Sequence, residues 1–283
     1  MWAWAGVSVA LIWKVQWIHL IHAAPQQWRL STKQCALLAM CGILLSGIVG
    51  ALALRILGAS TESPLAPSSL LVALVAVSLT TISTYLVLQY FSRAEIKNQG
   101  ATQTTELNTS IHVPPITIKR VAKNIAVGVV GFLIVWPLVQ VTSLFGGAIQ
   151  FYFTDVQAPT VGHQFLETIL EQGNNPITWG LIFTIVILGP LAEEIIWRGA
   201  IQQGLKQIGM PRAGAILITA VMFALFHWDA VPKLGHAAAI PALAVFGIAL
   251  GFLMERTGRL LGSFVAHALF NCANIFLFSM LPQ

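Results

Sequence analysis

The chain repeats one pattern: runs of about 20 mostly apolar residues, separated by short polar or Pro- and Gly-containing breaks. An α-helix of that length crosses the hydrocarbon core of a bilayer. In lipid every backbone N–H and C=O must be bonded internally, so only helices and closed barrels cross it. Eight runs qualify: 2–22, 35–57, 67–91, 124–145, 179–207, 211–228, 238–254 and 260–281. The expected fold is all-α, a polytopic transmembrane helical bundle of about eight spans. Composition agrees. Of the 283 residues 57% are hydrophobic and 9% charged, where a soluble domain carries roughly 25% charged residues. So few charges cannot cover a water-facing surface, which disfavours a soluble enzyme, a nucleic-acid binder and a disordered scaffold. Cys35, Cys41 and Cys272 sit in apolar runs, too dispersed for a disulfide framework or a CxxC metal site.

Charge sets an orientation. Arg29, Lys33, Arg93, Lys97, Lys119, Arg120, Lys123, Arg198, Lys206, Arg212, Arg256 and Arg259 fall on one side of the alternating spans. Arg55 and Lys233 fall on the other, and Lys14 lies inside the first run. The positive-inside rule makes the first side cytoplasmic and puts both termini outside the cytoplasm. The net charge of +5 thus reflects cytoplasmic loops, with no nucleic-acid partner expected. Trp179 and Trp228 stand at the outer ends of their spans, where an aromatic belt belongs. Three regions follow. Residues 1–150 form an N-terminal transmembrane region of unassigned role, interrupted by a polar linker at 92–123 that carries Pro114-Pro115. An external acidic segment spans 151–178, with a short interfacial helix expected near 163–172. Residues 179–283 hold four spans. The first run lacks a basic n-region, so it is read as a span and not as a cleaved signal peptide.

Of ten acidic residues only Glu193 and Glu194 lie well inside an apolar run. An ionisable group in the membrane costs a few kcal/mol and marks a functional candidate. Glu194 and Arg198 are four apart, share a helix face and can pair. Glu193 is turned about 100° away and is free to face something else. Pro190, three residues earlier, can kink the helix and admit water beside the carboxylate. Of seven histidines, His227 and His267 sit in otherwise apolar helices, unlike His19, His22, His112, His163 and His236. Around the turn at Gly209-Met210-Pro211, Glu193 and His227 lie at matching depths of roughly 25 Å, whereas His267 is shallower by roughly 10 Å. Phe223 is placed to pack under the His227 imidazole, and Asn271 shares a face with His267.

The set suits water activation. No HExxH, no GxSxG, no intramembrane aspartate pair and no Gly-rich phosphate loop is present. Glu193 is the candidate general base, and His227 would hold or share the water. His267 and Asn271 would donate to the oxyanion of a tetrahedral intermediate. The fitting reaction is amide hydrolysis in a water-filled membrane cavity. The same Glu193, His227 and His267 also suit a divalent metal such as zinc.

These residues carry three motifs in order: Glu193-Glu194-Ile195-Ile196-Trp197-Arg198 as EExxxR, Phe223-Ala224-Leu225-Phe226-His227 as FxxxH, and His267-Ala268-Leu269-Phe270-Asn271 as HxxxN. Across roughly 179–281 the chain resembles the CAAX-protease and bacteriocin-processing (CPBP, or ABI) family of intramembrane endopeptidases, which includes the type 2 CAAX prenyl protease. The resemblance implies that Glu193 and His227 activate water and that His267 and Asn271 form the oxyanion site. It leaves Glu194, Arg198 and Phe223 in supporting roles, and implies glutamate-dependent chemistry with no cofactor, although the family was first described as metalloproteases. Partners would be membrane lipid and a peptide or protein substrate, prenylated in some members. Two rival readings stay open: a non-catalytic bacteriocin-immunity or scaffold protein, and a proton-coupled transporter using Glu193 and the histidines as a relay. No internal repeat of the inverted-repeat transporter kind is visible.

Overall fold

The computed structural model describes residues 30–56, 66–102, 117–158 and 173–280. The expected span 2–22 and the expected helix near 163–172 lie outside these residues. The described residues form seven helical rods and no strand. Helix α1 comprises Thr32–Met40, a wide π turn at Cys41–Leu45, and Ser46–Ile56. Next come α2 (Pro67–Thr102) and α3 (Ile118–Thr154). Helix α4 runs from Pro176 to Gln207 with π segments at Thr184–Leu188 and Ile195–Ile201. Then follow α5 (Arg212–Phe226), α6 (His236–Thr257) and α7 (Leu260–Ser279). Six of these are long and apolar enough to cross a membrane, and α5 is a shorter apolar helix. The protein is an integral, multi-pass membrane protein.

Local chemistry starts and stops the rods. Ser31 caps α1 with a reciprocal Ser31–Gln34 capping box. Asn175 accepts hydrogen bonds from the Ile177 and Thr178 amides, and Pro176 follows in the first turn, where its missing N–H costs nothing. Gly258 ends α6 in the left-handed region at φ 66° and returns its N–H to the Met254 carbonyl, turning the chain into α7.

Two boundaries differ from the sequence reading. Residues 92–123 are not one linker: α2 continues to Thr102 and α3 already begins at Ile118. The stretch after Tyr90 is polar but rich in good helix formers, Ala94, Glu95, Lys97 and Gln99 among them, so leaving the apolar run does not end the helix. At its other end α3 runs past the expected span end at 145, through Gly146-Gly147, to Thr154, so the segment expected at 151–178 starts as helix. Those glycines mark a close approach and not a loop, since a Cβ on Gly146 would overlap the Ala237 carbonyl.

Helix α3 packs against α6 and α7, α5 packs on α6, α1 pairs with α2, and the second π segment of α4 rests on α1. The central core joins Val135 and Val139 of α3 to Trp197, Phe223, Phe246, Leu250, Leu253, Ala266 and Phe270. Small residues bring backbones together, as expected where lipid supplies no hydrophobic drive between helices. A Cβ on Gly128 would stand 2.6 Å from the Gly262 carbonyl, and one on Gly247 would stand 3.0 Å from Ala220 Cα. Ile48, Leu133, Phe145 and Leu217 face outward, the surface a lipid environment accepts. Trp179 and Trp228 are exposed, in keeping with an interfacial belt.

One end of the bundle is tied by a polar network. Glu255 is buried in the last turn of α6. It takes Lys206 Nζ at 2.8 and 2.9 Å and the Gln202 amide at 2.9 Å, with the Arg212 guanidinium 3.9 Å away. It thus clamps α4 and the start of α5 to α6. Glu255→Gln removes the charge that compensates Lys206. It should lower stability by about 2 kcal/mol, a fall of about 4–8 °C in Tm for a chain of this size. Thermal unfolding in a fixed detergent reads the shift.

Candidate active site

Glu193 and Glu194 close the short α segment Gly189–Glu194, between the two π segments of α4. A π turn shifts the faces that follow it, and such turns gather at functional sites. The consecutive glutamates part as their spacing implies. Glu194 is fully buried and Glu193 opens into a cavity, its side chain 29% exposed.

Glu194 anchors a buried cluster. Its Oε1 lies 3.2 Å from Arg198 Nη1 and accepts a 2.9 Å hydrogen bond from His267 Nδ1. Arg198 is also fully buried; its Nη2 donates to the Gly247 carbonyl at 3.3 Å, and its guanidinium lies 4.7 Å from the centre of the Phe223 ring. The Glu194–Arg198 pair matches the i,i+4 expectation. The Glu194–His267 bond was not visible in the sequence, because the two residues are 73 positions apart on different helices.

Glu193 faces both imidazoles. Its Oε2 is 3.9 Å from His227 Nε2 and 3.8 Å from His267 Nε2. Each ring is held from behind. His227 Nδ1 is 2.8 Å from the Phe223 carbonyl and His267 Nδ1 is 2.9 Å from Glu194. A carbonyl and a carboxylate only accept, so both Nδ1 atoms carry the proton and both Nε2 atoms are turned toward Glu193. Phe223 stacks beside His227 with ring centres 4.7 Å apart, as its spacing predicts. It also meets His267 edge-on at 5.9 Å, and Phe246 abuts His267 from the other side at 5.4 Å.

His227 is the C-cap of α5, at the end of the expected run 211–228, and meets Glu193 as their matching depths imply. One expectation of depth is corrected: His267 is not shallower than Glu193 but beside it. The sequence estimate assumed an α-helical rise throughout. The π segment Ile195–Ile201 packs more residues into each turn and so closes part of that gap in depth.

The cavity measures about 330 Å³. Glu193, His227, His267, Phe223 and Asn271 line it, beside the apolar Val139, Leu243 and Phe246. Its walls also include Leu74 and Ser78 of α2 and Gln140 and Ser143 of α3, residues for which the sequence had suggested no role. Asn271 reaches the cavity, and its Nδ2 donates to the Ile185 carbonyl at 2.8 Å. Among the described residues no group of three His, Cys, Asp or Glu side chains is arranged to hold a metal ion.

The described residues thus form a helical membrane bundle that sets a glutamate against two histidines at an internal cavity. Residues 175–273 match the family model described as type II CAAX prenyl endopeptidase Rce1-like. That match covers the three motifs and supports the resemblance of the C-terminal region to the CAAX-protease (CPBP) family. No curated protein and no solved structure matches the chain.

Proposed function

We propose that the protein is an intramembrane endopeptidase in which Glu193 and His227 activate a water for attack on a peptide carbonyl. The observation that carries this reading is the convergence of Glu193 Oε2 on two imidazole Nε2 atoms at 3.8 and 3.9 Å. That spacing is too long for direct hydrogen bonds and short enough for one water to bridge. His227, with its proton on Nδ1, accepts from the water at Nε2 while Glu193 takes the proton as base. The water oxygen adds to the carbonyl carbon, and the carbonyl oxygen becomes the oxyanion. His267 is the donor for that charge: protonated on Nε2 as well, it forms a cation flanked by Glu194 and Glu193 and gives its Nε2–H to the oxyanion. On collapse the C–N bond breaks, and Glu193 returns its proton to the leaving amine.

The supporting residues have mechanical parts. Arg198 compensates the buried Glu194 charge, Glu194 aims His267, and Phe223 separates Arg198 from His227. Apolar cavity walls suit an apolar peptide segment such as the aliphatic residues of a CAAX-type C-terminus; a prenyl group on it would lie in lipid. The basic residues at the Glu255 end orient that end toward the cytoplasm.

The test compares peptide termini in membranes expressing wild type or Glu193→Gln at equal levels, with and without a metal chelator. New termini confined to wild type, and insensitive to chelation, are expected. Identical termini with both proteins folded would overturn the peptidase reading. Loss on chelation would return the chemistry to a metal.

A further inference from the structure

The Asn271 side chain ends on a backbone carbonyl that the helix cannot satisfy by itself. In the first π segment of α4 the Gly189 N–H bonds back to the Thr184 carbonyl, in the i→i−5 register. In that register the next donor, residue 190, would serve Ile185. Residue 190 is proline and has no N–H. The α-register alternative is closed too, because the Gly189 N–H is already engaged on Thr184. The Ile185 carbonyl is therefore left open inside the bundle, where an unbonded backbone group is destabilising. Asn271 Nδ2 donates to that oxygen at 2.8 Å from α7, 86 positions away in sequence.

We infer that Asn271 is a positioning residue: its carboxamide replaces the N–H that Pro190 lacks, and so pins the π turn of α4 against α7. The two ends of this tie are the two halves of the site. Glu193 stands three residues beyond Pro190, and His267 stands one helical turn before Asn271. The tie holds the Glu193 carboxylate at its 3.8 Å separation from His267 Nε2. Proline and asparagine are then one unit. Proline opens the carbonyl within the wide turn, and asparagine closes it from the neighbouring helix. A purely catalytic amide would have no such dependence on residue 190.

That dependence supplies the test, a double-mutant cycle between positions 190 and 271 on the full chain in nanodiscs. In the wild-type background Asn271→Ala should lower Tm by about 4 °C, the effect of stranding one buried carbonyl. In the Pro190→Ala background residue 190 regains its N–H, and the same Asn271→Ala should cost about 1 °C or less. If the alanine variant does not fold, Asn271→Ser runs the same cycle with a shorter donor. The kinetic arm rests on the peptidase reading. There Asn271→Ala should lower kcat about 10-fold with KM little changed, and adding Pro190→Ala should restore kcat, since small misplacements of a reacting group have effects of that order or more. An equal Tm loss in both backgrounds, or a kcat that Pro190→Ala does not restore, overturns the inference. If wild type hydrolyses no peptide, the peptidase reading fails and the Tm cycle still decides whether Asn271 serves the Ile185 carbonyl.

Discussion

Glu193→Gln should lower kcat for peptide hydrolysis by about 10²–10⁴-fold, the usual contribution of a positioned general base. Glutamine keeps the size of the side chain and one acceptor oxygen, but replaces the other oxygen with an NH2 donor and cannot take the proton from water. The side chain is part-exposed to the cavity and makes no hydrogen bond to the rest of the bundle at Oε2, so Tm should hold. His227→Ala should reduce kcat by a similar order, because it removes the Nε2 acceptor that faces the same oxygen at 3.9 Å. The double variant should be hardly worse than the poorer single one, since groups that act on one water as a unit lose their effect together. Single-turnover rates for the three variants check this. Multiplicative losses would mean that the two side chains do not share a water.

Arg198→Met carries the largest expected effect on stability. Both partners of the Glu194–Arg198 pair are fully buried. Removing the cation strands a carboxylate, and breaking a buried pair from one side costs about 3–5 kcal/mol. Methionine fills much of the space over Phe223 but returns neither the charge nor the bond to the Gly247 carbonyl. For a chain of this size the loss corresponds to a Tm drop of about 10 °C or more. Glu194→Gln/Arg198→Met, which removes both charges, should recover part of it, because a pair replaced by neutral groups of like volume is often close to neutral. Thermal unfolding of the two variants in one detergent separates a stranded charge from lost packing. If the double variant is no more stable than Arg198→Met, the cost lies in packing.

The pair and the acid site differ in how far they could be read in advance. Glu194 and Arg198 stand one turn apart on one helix, so their pairing follows from spacing alone. Phe223 beneath His227 follows in the same way. The turn of Glu193 away from Glu194 is a matter of 100° per residue. These are local relations along one helix, and local geometry is carried by the chain itself. The helical, membrane-spanning class was equally legible, because the bilayer leaves so few ways to satisfy a buried backbone.

Contacts between helices were not legible in that way. The sequence supplied the three motifs but no distance between them. It placed His267 too shallow, because nothing in the residue pattern announces a π turn or how two helices lie against each other. The tertiary structure decided that Glu194 also holds His267, that Glu255 is a buried clamp, and that α2 and α3 wall the cavity. It decided too that Gly146-Gly147 lies within a helix, pressed against the backbone at Ala237. The physical reason is common to all of these. Periodicity reports which face of a helix is apolar, but helix register, rise and crossing are set by small residues that let backbones touch and by polar groups that must find a partner on another helix. Asn271 shows both levels at once: its face was given by spacing from His267, and its partner, the Ile185 carbonyl opened by Pro190, exists only where α4 and α7 meet.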